Sequence, residues 1–204
     1  MGSNSIKNNI EFMKKNLIVF VIMASAILMI SCHTASYHHD YESTPYRIDY
    51  RKGKWLLNEI ESPQLIKSTL TQIAYDGFYE ELGSDIQKAD HLHTTISYVP
   101  IKPDKTLLER IKNETKVDYL INIKCRNSID EIGGLQIGPV KNKERKITET
   151  ILEVYDLNTL EIIYSRKVIG QITIEDDNKD FAFVQSSNSI MIRSLKKIMR
   201  KIKH

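Results

Sequence analysis

The chain has 204 residues, of which 41% are hydrophobic, 27% charged and 8% aromatic; this excludes a disordered polar chain and a collagen-like one, and fits one globular domain with appendages. Its 29 basic and 26 acidic residues give a net charge of +3, without the concentrated basic field of a whole-molecule nucleic-acid surface. Two cysteines exclude a disulfide scaffold.

Lys14-Lys15-Asn16 leads into Leu17 to Ile30, 14 residues with no charge and no proline. A basic lead-in followed by a short apolar run is the anatomy of a signal peptide. The run falls short of the roughly 20 apolar residues that a membrane-spanning helix needs. Leu28-Met29-Ile30-Ser31-Cys32 closes it and resembles the lipobox of bacterial lipoproteins, in which a small residue precedes a cysteine that receives diacylglycerol and becomes amino-terminal on cleavage. The box favours leucine three places before the cysteine; here Met29 holds that place and Leu28 lies one further back. The resemblance implies a signal peptide over 1–31, lipidation of Cys32, and attachment of the chain by its lipid to the cell envelope, at the outer membrane facing the periplasm. The alternative for Cys32 is a buried thiol ending an uncleaved helix. Ile6 stands where myristoylation of Gly2 needs Ser or Thr, which discards that route. Met13, directly before the two lysines, is a second candidate start.

Removing 1–31 takes away Lys7, Lys14, Lys15 and Glu11, so the remainder is less positive by two charges. With Cys32 acylated, Cys125 has no disulfide partner even in an oxidising compartment and reads as a free, buried thiol. Residues 32–50 are polar, rich in Tyr and His and without apolar periodicity, so they read as a lipidated flexible tether to a single domain over 51–204. Fully extended, the 18 residues from His33 to Tyr50 reach about 60 Å. His38-His39-Asp40 lacks the fixed geometry and third ordered ligand of a metal site.

Trp55, Leu56, Leu57 and Ile60 predict a first strand over 54–60, stopped by Ser62-Pro63. Leu65, Ile66, Leu70, Ile73 and Ala74 recur at helical spacing and predict a helix from about Gln64 to Gly77 or Gly83. The segment His91 to Val99 suits a strand; His91 and His93 would share one of its faces, with no third metal ligand identifiable. Asp104 is an N-cap for a helix reaching about Lys116, with Leu107, Leu108 and Ile111 inward. Val117, Tyr119, Ile121, Ile123 and Cys125 alternate with Asp118, Asn122 and Lys124, and Leu120 is the exception to a clean two-residue pattern. Gly133-Gly134, Gly138 and Pro139 mark a loop over 129–145 that lacks the ending of a phosphate-binding loop.

Residues 147–155 and 160–174 predict a hairpin joined at Asp156-Leu157-Asn158-Thr159. The last helix is expected from the polar stretch Asp176 to Asp180 onward, with Val184, Met191, Leu195, Ile198 and Ile202 inward. Its other side carries Arg193, Lys196, Lys197, Arg200, Lys201 and Lys203. These bases complement the helix dipole and also form a candidate surface for an acidic partner or anionic headgroups.

The expected fold is an α/β sandwich of the α+β type, in the order β-α-β-α-β-β-β-α, a mixed sheet with helices packed on one face. Val117-Asp118-Tyr119-Leu120-Ile121 and Val154-Tyr155-Asp156-Leu157-Asn158-Thr159, taken with the lipobox, resemble envelope lipoproteins carrying a domain of the TolB amino-terminal type. Curli-secretion channel lipoproteins and outer-membrane activators of peptidoglycan synthases share that fold. The resemblance would cover about 54–203, and it transfers no catalytic residue. This chain lacks the extra segments that form membrane-spanning hairpins in channel subunits, which argues against a pore, and its tether is shorter than that of the synthase activators.

The function these features favour is a lipid-anchored, non-enzymatic docking or assembly module for other envelope components. Its partner would be an envelope protein or a second copy of this chain, with no nucleic acid, metal or cofactor. The rival is an envelope hydrolase using His91 or His93 as base and Asp118 or Asp130 as orienting acid, with no nucleophile elbow, zinc helix or Cys pair to support it. A third reading is a small-ligand or glycan binder stacking on Trp55 and tyrosines.

Overall fold

Alternation of apolar and polar residues builds the centre of the molecule. The computed structural model describes residues 35–39, 48–50, 53–91, 98–128, 143–175 and 186–202. In chain order the elements are β1 (Ser36–His39), β2 (Trp55–Leu57), α1 (Gln64–Leu82), β3 (Ile86–Lys88), α2 (Lys105–Thr115), β4 (Tyr119–Ser128), β5 (Lys143–Asp156), β6 (Glu161–Glu175) and α3 (Ser187–Ile202). The strands form one mixed sheet in the order β1-β6-β5-β4-β2-β3. β2 runs parallel to β3 and β4, while β4, β5, β6 and β1 pair antiparallel. From β2 onward the order is the expected one, and the α/β sandwich with a mixed sheet holds.

Local chemistry sets the element ends. The Asp104 carboxylate accepts from the Leu107 N–H at 2.7 Å, satisfying a donor that the first turn of α2 leaves unpaired. Lys116 closes the helix in the left-handed region at φ 55°. Gly83, at φ 58°, ends α1 and gives its N–H to the Tyr79 carbonyl, so the boundary is Gly83 rather than Gly77. In the hairpin, Asp156 Oδ1 accepts from the N–H groups of Asn158 at 2.8 Å and Thr159 at 3.3 Å, and Leu160 takes φ 57° to start β6.

Two cores result. Trp55, Leu57, Tyr119, Ile121, Ile123, Leu152, Val154, Tyr164 and Val168 pack under Ile66, Leu70, Ala74 and Phe78 of α1 and Met191, Leu195, Ile198 and Ile202 of α3. Leu56, Leu120 and Tyr155 point the other way and meet Leu108 and Ile111 of α2. Thus α1 and α3 share the expected face, but α2 covers the opposite one. Leu120 helps explain why: a fully buried leucine contributes about 1.5–3 kcal/mol, and α2 covers it on that side together with Val99 and Leu157.

Other expectations are corrected. The stretch read as tether holds β1, paired Ser36↔Gln171 to His39↔Val168, and Ile48 is buried in the first core. Backbone pairing to the outer edge of β6, with Tyr37 packed against the core, orders a segment whose apolar pattern is too weak to announce a strand. The short third strand lies at 86–88, and residues 92–97 of the segment expected to form it are outside the described residues. α3 spans Ser187–Ile202, with Ser186 Oγ accepting from the Ser189 N–H at 3.2 Å; the stretch 176–185, including Val184, lies outside the described residues. Leu65, expected on the apolar stripe of α1, is 83% exposed, whereas its neighbour Ile66 is buried in the first core.

Candidate functional site

α3 packs its apolar stripe on the sheet and so turns Arg193, Lys196, Arg200 and Lys201 to solvent, with Lys197 half-buried. α1 lies beside it, and β1 passes along the outer edge of β6 below. Between them lies a groove of about 630 Å³. Arg193, Lys196, Lys197 and Arg200 form one wall, Ile73, Asp76, Gly77 and Glu80 of α1 the other, and Tyr37 the floor.

Two glycines lie at the contacts between these elements. A Cβ at Gly77 would stand 2.5 Å from Met199 Cε, and one at Gly170 of β6 would stand 2.4 Å from Ile190 Cγ2. Gly170 lets α3 lie close on β6, whereas at Gly77 the near atom is only the end of the flexible Met199 side chain. Lys197 Nζ then sits 4.7 Å from the centre of the Tyr37 ring, a cation–π contact. Burial raises the Tyr37 hydroxyl above the ordinary phenol value, and the Arg193 guanidinium opposes that shift. Across the groove, Asp76 Oδ1 accepts from Gln72 Nε2 at 2.6 Å, and Asp76 and Glu80 set negative charge opposite the bases of α3.

Of the bases named from sequence, Arg193, Lys196, Lys197 and Arg200 converge on this groove; Lys201 is exposed one step further along α3 and does not line it. Tyr37, Asp76 and Glu80 are missed by sequence reasoning. The four-residue spacing of the two acids on α1 was the available signal; Tyr37, in a polar stretch, offered none.

The residues of the rival readings are placed elsewhere. Trp55 is fully buried and stacks on Tyr119 at 4.3 Å, so it offers no platform to a sugar. Asp118 is a structural tie: its Oδ2 accepts from the Lys54 N–H at 2.8 Å and its Oδ1 from Asn158 Nδ2 at 3.5 Å, joining the entries of β2 and β4 to the hairpin turn. Cys125 is free and buried, and burial pushes its thiol up to about 12, which keeps it protonated and unreactive. No group of three or more metal-ligating side chains occurs among the described residues. Cys32, Asp40, His93, Asp130, the glycine loop, Lys203 and the side chain of His91 lie outside them. Among the described residues no helix is long and apolar enough to cross a membrane.

A polar cluster occupies the opposite sheet face. Glu149 of β5 binds Arg126 of β4 at 2.5 Å and Lys167 of β6 at 2.9 Å. Burial opposes ionisation of Glu149, but hydrogen bonds from Lys167 and Arg126 outweigh it and hold the carboxyl below its ordinary value. Three neighbouring strands are thereby linked.

No family model matches the chain, and no curated protein matches it. Among solved structures it is similar to PelC from Paraburkholderia phytofirmans, a dodecamer, at 11% identity and a TM-score of 0.41, over 83% of this chain and 97% of that one. It is also similar to the lipoprotein GNA1162 from Neisseria meningitidis, at 14% identity and a TM-score of 0.36, over 74% of this chain and 98% of that one. At these values neither likeness assigns a family or a function to this chain.

Proposed function

We propose that this chain is a lipid-anchored protein of the bacterial cell envelope that works without catalysis, as a docking or assembly module for another envelope component. Cys32 carries the lipid, and the α1–α3 groove with its row of bases is the docking surface. The observation that supports this reading is the row itself: Arg193, Lys196, Lys197 and Arg200 line one wall of an open groove, beside a strand that begins four residues after Cys32. Long cationic side chains along an accessible groove recognise an anionic surface by charge complementarity and need no reactive group.

The test is intact mass and detergent partitioning of the full-length protein made in a bacterium, beside Cys32→Ala, with photo-crosslinkers at Lys196 and Lys105. Expected are loss of 1–31, a diacylglyceryl mass and detergent partitioning in wild type only, and crosslinks from position 196 but not 105. An unmodified wild type refutes the anchor, and equal crosslinking from both positions refutes the groove.

A further inference from the structure

We propose that the anionic component met by the α3 surface is the phospholipid headgroup layer of the membrane that holds this chain's own lipid. The inference deepens the docking reading and rests on acylation of Cys32.

Reach is the first support. An 18-residue tether extending about 60 Å would leave the domain free to turn in any direction. β1 removes that freedom, because its pairing with β6 begins at Ser36. Ser36 is the fourth residue after Cys32, a span of at most about 14 Å when fully extended. The lipid is therefore held close to the edge of the sheet.

The second support is what lies along that edge. Tyr37 sits beneath Lys197 with Arg193 beside it, and His39 has Arg166, Lys197 and Lys201 as its charged neighbours. β1 thus runs alongside the cationic row. Arg193, Lys196, Arg200 and Lys201 recur at three-, four- and one-residue steps on one side of α3 and are all exposed. With Lys197 they make five cations, against Asp76 and Glu80 on the facing wall, so the surface is net positive. Attraction between a cation and an anionic leaflet acts over about one screening length, roughly 8 Å at physiological salt. An anchor this short holds the long basic side chains within that layer.

Insertion of α3 is excluded by its packing, since Met191, Leu195, Ile198 and Ile202 are already buried in the core. The contact is therefore electrostatic, specific for anionic lipid and sensitive to salt.

The mature acylated protein, its mass verified, is reconstituted into vesicles of phosphatidylcholine alone or with phosphatidylglycerol. Exposed lysines are then labelled with a membrane-impermeant amine reagent and quantified by peptide mass. Labelling of Lys196 and Lys201 is expected to fall at least about fivefold in the anionic vesicles and to recover in high salt, while Lys105 and Lys116 beyond the opposite sheet face stay unchanged. In Lys196→Glu/Arg200→Glu, whose sites are exposed, the protection of Lys201 is expected to be lost. Acylated protein whose Lys196 and Lys201 label as fully as Lys105 and Lys116 in both vesicles overturns the headgroup assignment and leaves the anchored docking reading standing, with an acidic protein as the occupant. Lys196 and Lys201 equally protected relative to Lys105 and Lys116 in both vesicles overturns recognition by charge. Absence of the acyl mass overturns this inference and the anchored reading together.

Discussion

Gly170→Ala tests whether the seating of α3, and with it the groove, depends on a missing side chain. The new Cβ would stand 2.4 Å from Ile190 Cγ2 and 3.1 Å from both Ser194 Oγ and Thr148 Oγ1. Carbon atoms rest at about 3.5–4.0 Å, so Ile190 must retreat by at least about 1 Å. It has nowhere to go: Ile190 and Ser194 are both fully buried, and a β-branched side chain in a helix has one favoured rotamer. Overpacking of this kind costs about 1–3 kcal/mol, and alanine recovers about 0.5–1 kcal/mol of the strand penalty of glycine, leaving a net loss of up to about 2.5 kcal/mol. Ile190→Ala alone removes the clashing methyl and costs about 2–5 kcal/mol through its cavity. In the double variant the combined loss should fall short of the sum of the two by about 1–3 kcal/mol, since the clash no longer exists. Urea unfolding followed by the fluorescence of Trp55, the single tryptophan, measures all four proteins. Strict additivity would refute the account of how α3 is seated.

Other predictions concern charge and capping. Glu149→Gln should cost about 1–2 kcal/mol at neutral pH by leaving Arg126 and Lys167 facing each other across β5, read by the same urea titration. Because Glu149 ionises more readily folded than unfolded, its contribution is present above the ordinary value of 4.5 and fades as pH falls through the lower folded value; the variant should lack that acid-side loss. His39 titrates in the opposite sense of charge: burial, then Arg166, Lys201 and Lys197, lower its pKa, so the unfolded chain binds the proton first as pH falls through 6.5. Protection factors of the amides at residues 36–39, which remove the intrinsic pH dependence of exchange, should therefore fall below that pH in wild type and stay flat in His39→Gln. Asp104→Ala should cost about 1 kcal/mol by leaving the Leu107 N–H uncapped, with unchanged stability counting against the cap.

What could be read in the residues, and what could not, divides along the range of the interactions. β4 is legible because Tyr119, Ile121, Ile123 and Cys125 alternate over a long strand, and α2 because the Asp104 cap acts three residues away. The hairpin is legible for the same reason, since Asp156 builds its own turn. β1 is not: Ser-Tyr-His-His has no alternating pattern, and its partner strand is more than a hundred residues away. β3 carries one buried residue, Ile86, too little for a pattern. The placement of α2 was half visible, because Leu120 breaks the two-residue period where that helix is needed.

The groove follows the same division. The bases of α3 show as the polar side of an amphipathic helix, and on an isolated helix they would be a solvated face and nothing more. What makes them a candidate site is the proximity of Tyr37, Asp76 and Glu80, and on the Tyr37 side that proximity rests on Gly170, which adds no side chain to any hydrophobic pattern. Gly170 faces Tyr37 across the β1–β6 pairing and Ile190 across the helix–sheet contact. A side chain there would lift α3 away from β1, so the spacing between β1 and the cationic row is set at a residue that carries no charge.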